Sequence, residues 1–260
     1  MAKKEVAAKT EVAVQAQNPV ALPAQASFSP RLKALMNEVR DNLASLEGFR
    51  LPRIKMTSDG AEIIEGEKPA DAIEGILLHT KKTNVYYEKP FNPSTIEPPT
   101  CFSTDGERPD SSIATPQNPT CKGCKQAEFG TNQMKSGKAC RNLKPLYLLL
   151  SDEAIMPRQL TITPTALKAA NKYLLDLTER GLSYRKVRTR IEFYKENARD
   201  TYVRAKFRML EKLTPEMQAD AESLRNFWLP VMNEQSIDQA EFSSEETSAP
   251  QAPLETKGEF

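Results

Sequence analysis

The chain has 260 residues, with 36 Lys and Arg against 35 Asp and Glu and a formal net charge of +1. No run approaches about 18 apolar residues, so no membrane-spanning helix is expected. One histidine, with neither a phosphate-loop nor a dinucleotide-binding glycine motif, gives no sequence support for an enzyme.

Residues 1–27 are rich in Ala, Gln and Val and contain no aromatic residue. They are expected to be a disordered arm, since they bury too little apolar surface to offset ordering entropy. Lys3 and Lys4 lead into no apolar stretch, so the segment does not read as a secretory signal. A helix is predicted within 28–50. Ser29 caps it, Pro30 takes its first position, and Leu32, Leu35, Met36, Val39 and Leu43 form its apolar face. Gly48 follows its end.

Strands are predicted at 53–56 and 61–64, joined by the Asp59-Gly60 turn, and at 73–87. The last is interrupted by Lys81, Lys82 and Asn84, where it bends or divides. Residues 90–119 hold seven prolines and no apolar period, and read as a loop. Strands follow at 146–150 and 159–162. Thr163 and Pro164 then open a helix with Leu167, Ala170, Leu174 and Leu177 on one face, which ends at Gly181. A hairpin comes next, with Val187, Thr189, Ile191 and Phe193 in one strand and Val203, Ala205, Phe207 and Met209 in the other. A last helix, at 214–232, starts on Pro215 and ends or kinks at Pro230. Strands, one helix, then two strands is the order of an OB-fold, although the early strands exceed its three and a flat α+β sandwich could give the same order. The expected class is therefore mainly β with helices (α+β): an OB-fold-like five-stranded barrel over 51–213, with a cysteine loop inserted at 98–142.

All four cysteines, Cys101, Cys121, Cys124 and Cys140, fall in or beside that loop. Cys121 and Cys124 form a C-x2-C pair. The other two stand singly, before and after it. A segment this polar cannot fold around its own core, and four thiolates around one zinc ion would crosslink it. Reduced thiols in a cytoplasmic setting favour metal over disulfides. An iron–sulfur cluster takes the same four ligands, and free thiols are the plain alternative. His79 reads as a structural residue at a strand end.

Charge is unevenly placed. Residues 185–212 carry ten basic and four acidic side chains. Period-two alternation turns Arg188, Arg190, Tyr194, Tyr202, Arg204, Lys206 and Arg208 to solvent. Cations on such a face track phosphates and tyrosines stack bases, although a hairpin made soluble by Lys and Arg shows the same alternation. Lys81, Lys82, Tyr86, Tyr87, Lys122 and Phe129 are further candidates for the same surface. Residues 233–260 hold seven acidic residues and one lysine. They read as a disordered acidic tail ending in Glu259 and Phe260, a terminus suited to capture by a partner's apolar pocket flanked by cations.

These features resemble the OB-fold single-stranded DNA-binding proteins of bacteriophages and prophages. The likeness runs from about Leu51 to Leu213. It is carried by Pro52-Arg53-Ile54-Lys55, Val85-Tyr86-Tyr87, Pro99-Thr100-Cys101-Phe102-Ser103 with Asp105-Gly106, Cys121-Lys122-Gly123-Cys124 with Phe129-Gly130-Thr131, and Gly137-Lys138-Ala139-Cys140-Arg141-Asn142. Similar proteins carry tryptophan where Tyr87 and Phe129 stand, and serine where Thr131 stands. The resemblance implies a non-enzymatic protein of the bacterial host cytoplasm. It would coat single-stranded DNA in phage replication or recombination and recruit partner proteins through Glu259 and Phe260. A zinc-stabilised adaptor that binds protein is the alternative.

Overall fold

The structure, a computed structural model, describes residues 29–44, 49–57, 59–64, 67–89, 97–133, 135–195 and 203–235. The predicted 1–27 arm, Gly48, Tyr202, and the tail from 236 onward with Glu259 and Phe260 lie outside the described residues.

Helix α1 (Pro30–Ala44) begins as the sequence requires, with the Ser29 hydroxyl accepting from the Leu32 amide at 3.3 Å. Strands β1 (Arg53–Thr57) and β2 (Gly60–Glu62) form the expected hairpin around Gly60, whose φ of 133° favours glycine. The predicted 73–87 strand divides at Lys81 and Lys82 into β3 (Ala72–Thr80) and β4 (Thr83–Tyr86). Both pieces pair antiparallel with β6 (Cys140–Leu149), one after the other along its length. Strand β7 (Arg158–Ile162) leads into α2 (Pro164–Glu179). Strands β8 (Val187–Tyr194) and β9 (Arg204–Lys212) form the basic hairpin, and α3 (Pro215–Glu234) closes the described chain.

Four expectations change. The 90–119 segment contains a short strand, β5 (Cys101–Ser103), paired with β4. Strand β6 starts six residues before the predicted 146, because Cys140–Leu143 pair with β4 although they show no apolar alternation. The Thr163 hydroxyl does not cap α2 and instead lies 3.1 Å from that of Thr165. Helix α3 runs through Pro230 to Glu234. Beyond the proline, Met232 is fully buried, and its carbonyl accepts from the Tyr147 hydroxyl at 2.7 Å. That packing offsets the missing helical hydrogen bond.

The strands join in one mixed sheet of order β2-β1-β7-β6-β3-β8-β9, with β4 and β5 attached beside the N-terminal half of β6. Only β1 and β7 pair in parallel among the described strands. The sheet curls into a half-barrel. Edge strand β2 bridges back to Ala70 through Ala61, and the Phe193 amide donates to Asp71 at 2.7 Å. The architecture is thus mainly β with helices and barrel-like, built from nine strands rather than five.

Both faces of the central strands are buried. Ile73, Leu77, Leu146, Leu148, Leu160 and Ile162 pack inside the curl with Ala166 and Ala170 of α2. Ile76, Leu78, Tyr147 and Leu149 pack outside it against α1 and α3, around Trp228 and Met232. A strand buried on both faces reads as a continuous apolar run, which is why 73–78 shows no period of two. Gly75 is required where β3 runs beside the end of β6, since a Cβ there would strike the Leu149 carbonyl.

Candidate nucleic-acid interface and cysteine cluster

Antiparallel register fixes the outer face of the β8–β9 hairpin. Tyr194 lies opposite Arg204, Glu192 opposite Lys206, and Arg190 opposite Arg208. A bulge between Arg188 and Thr189 brings Glu211 opposite Arg188. All the predicted cations of the hairpin therefore share one face.

Their electrostatic surroundings differ. Arg188 is 14 % exposed and donates to Asp152 at 2.5 Å and to Glu211 at 2.9 Å. Arg190 donates to Glu74 and Glu192, and Arg208 lies 3.3 Å from the same Glu192 oxygen. Glu192 thus bridges two arginines that would repel across the ladder. Lys206 is exposed and has no carboxylate within 4.0 Å among the described residues. Lys206 lies toward the end of the hairpin where β8 leads into β9, the end that also carries Tyr194, which is 43 % exposed. Glu192 was visible in the sequence as part of the same alternation. Glu74 and Asp152 were not, because only the fold brings them to β8.

The remaining candidates lie elsewhere. The Lys81 ammonium donates to the carbonyls of Asn233 and Gln235 at 2.8 and 3.2 Å, satisfying the end of α3. Burial pulls its pKa down to about 8. Lys82 is exposed. Tyr86 and Tyr87 take opposite faces: Tyr86 lines a cleft with the cysteines, whereas Tyr87, like Phe102, packs on the cluster of Val85 and Leu143. Lys122 is exposed beside Cys121. Phe129 is 75 % exposed in a loop braced from within. There the Thr131 hydroxyl donates to the Glu128 carbonyl at 2.7 Å, and Asn132 Oδ1 accepts from the Ser136 and Gly137 amides.

All four cysteines line that cleft. Cys101 on β5 and Cys140 on β6 flank Tyr86 of β4 in register. Cys121 and Cys124 close a tight turn, with the Cys124 amide 3.4 Å from the Cys121 carbonyl and Gly123 at a φ of 78°. No disulfide joins any of them. Burial pushes the Cys140 thiol up to about 12, with the neighbouring Cys121, Cys124 and Cys101 adding to the shift. Cys101 is raised in the same way, first by burial. Among the described residues, no three ligand-type side chains lie close enough together to hold a metal ion.

The two clusters are far apart. Ala72 begins β3 beside Glu192, and Tyr86 ends β4 beside Cys140. At about 3.3 Å per residue, roughly 45 Å of strand contour separates them. They also lie on opposite faces. Arg188 and Arg190 share the outer face with Ile76 and Glu74, whereas Cys140 shares the inner face with Leu146 and Leu148. Among the described residues, no helix is long and apolar enough to cross a membrane.

Neither a family model, nor a curated protein, nor a solved structure matches this chain.

Proposed function

We propose that this protein binds single-stranded DNA without acting on it, as a phage-type coating protein of the OB-fold kind in replication or recombination. The observation that carries the reading is the outer face of β8–β9. Tyr194 stands exposed beside the in-register Arg204 and Lys206, an aromatic next to cations on an antiparallel surface. Such a surface stacks bases and neutralises phosphates without reading sequence. The family resemblance of the cysteine-loop motifs supports the same reading.

In this proposal Cys101, Cys121, Cys124 and Cys140 hold a zinc ion. Support comes from the donor set: four thiols, and no carboxylate, line one cleft. Zinc prefers thiolates, and binding would draw the sulfurs together and fix the loop that carries Phe129. The acidic tail with Glu259 and Phe260 recruits partner proteins, and the site of action is the cytoplasm of a bacterial host. The paired state of Arg188 and Arg190 favours a second reading, a zinc-stabilised protein adaptor, because a largely neutralised face attracts polyanions weakly.

Photo-crosslinking with an iodouracil-containing oligonucleotide tests the site. Crosslinks mapping to Tyr194 are expected. Efficient crosslinks confined to peptides outside 187–212 would move the interface, and none anywhere would favour the adaptor.

A further inference from the structure

Between the two clusters, the break between β3 and β4 carries a feature that neither absorbs. The pairings Thr80↔Leu146 and Thr83↔Leu143 bracket the break and leave Lys82 directly opposite Lys144. Like charges facing across a ladder are destabilising. Neither lysine has a carboxylate partner among the described residues. Asp105, in the adjoining turn, accepts instead from Ser103 and from the Glu107 and Arg108 amides.

The surroundings are built. Gly106, at a φ of 73°, is tied by its amide to Ser103 at 2.9 Å and by its carbonyl to the Asn84 amide group at 3.3 Å. The Lys82 stem lies where a Cβ on Gly106 would fall, so the missing side chain lets that stem lie flat against the turn. Asn84 is 6 % exposed and shares the ladder face of Lys82 and Lys144, yet its Oδ1 has no hydrogen-bond partner. The Thr80 hydroxyl, on the same face, is likewise buried and unpartnered. Two facing ammoniums, an unused hydroxyl and an unused amide oxygen are polar groups that normally find partners.

We propose that Lys82 and Lys144 form a seat for a phosphate group, with the Thr80 hydroxyl as a further donor and Asn84 Oδ1 orienting an ammonium. The inference rests on the DNA-binding reading for the source of that phosphate, a phosphodiester of the bound strand. Free phosphate offers the same chemistry. Lys144 is half-buried, and its pKa is lowered first by that burial and then by Lys82, a repulsion that the negative charge of a bound phosphate group relieves.

The test compares the full chain with Lys82→Gln and Lys144→Gln, which keep the side-chain stems in part. Melting temperatures are measured in inorganic phosphate and in chloride of matched ionic strength. Oligo-dT binding is measured over a salt series. A phosphate-dependent rise in melting temperature, present in the wild type and lost in both variants, is expected. The salt slope for oligo-dT should become shallower by about 0.7 in each variant. Equal phosphate shifts in all three proteins, with unchanged salt slopes, would overturn the seat and leave the DNA-binding reading standing. A lysine-dependent phosphate shift in a protein that does not bind oligo-dT would keep the seat, assign it to free phosphate, and remove the DNA-binding reading.

Discussion

The two cations Arg188 and Lys206 share a face but should behave as opposites. Arg188 is nearly enclosed between Asp152 and Glu211, both of which are more than half exposed. Breaking an exposed pair costs about 0.2–1 kcal/mol, and breaking a buried one about 3–5. An enclosed guanidinium with exposed carboxylates falls between, so Arg188→Gln should destabilise by about 1–2 kcal/mol. For a folded body of this size that corresponds to a drop of roughly 3–6 °C in Tm. DNA binding should hardly change, since the arginine is already neutralised. Lys206→Gln removes an exposed side chain, so stability should stay within about 0.5 kcal/mol. The salt slope for oligo-dT should become shallower by about 0.7, the value for one phosphate contact on a single strand. Thermal melts and fluorescence anisotropy over a salt series read both quantities. If Arg188→Gln weakened DNA binding more than Lys206→Gln while leaving Tm untouched, the ion pairs would not govern this face.

Other outcomes follow from the packing and the titrating groups. Replacing Tyr194 with Ala should cost about 1–3 kcal/mol of oligo-dT affinity with an unchanged salt slope, measured by the same anisotropy titration. Trp228 is fully buried and donates to the Ile155 carbonyl at 2.6 Å, so Trp228→Phe should lower stability in urea unfolding by about 1–2 kcal/mol, chiefly through the orphaned carbonyl. His79, the one histidine, stacks on Tyr147, and its pKa is lowered to about 4, first by burial and then by Arg225. Its unfolded value is near 6.5, so between pH 4 and 6.5 the unfolded chain holds the proton more tightly. Stability should therefore rise with pH through that window and fall as pH drops through it, by about 1–2 kcal/mol once solvent screening of a half-exposed ring is allowed for. The single imidazole signal in an NMR titration gives the pKa directly, and a midpoint near 6.5 would contradict the burial argument. Metal analysis of untagged protein should return about one zinc per chain. A metal-free protein of unchanged stability would remove the crosslink from the account.

Local signals in the sequence located most elements. Ser29-Pro30, Thr214-Pro215 and Asp59-Gly60 each set an end or a turn where the structure has one, because capping and turn chemistry act within four residues. The Thr214 hydroxyl, for instance, accepts from the Met217 amide at 3.3 Å. The alternation of 187–194 fixed which side chains share the outer face. Long-range pairing escaped that reading. Strand β5 and the first half of β6 are polar and become strands only by pairing with β4. The neutralisation of Arg188 and Arg190 depends on Asp152 and Glu74, which the sequence places 36 and 116 residues away. The facing of Lys82 and Lys144 is likewise a property of register alone. The four separated cysteines line one cleft, but among the described residues no three ligand-type side chains lie close enough together to hold a metal ion, and the sequence spacing gave no distances.

The central claim is that an unpaired strand of DNA lies on the exposed cationic edge of the β8–β9 hairpin. Titration of labelled oligo-dT and of a duplex of equal length, at low and moderate salt, tests it most directly. The account predicts markedly tighter binding of oligo-dT and an affinity that falls steeply as salt is raised. Equal affinity for the duplex, or no binding to either, would contradict it.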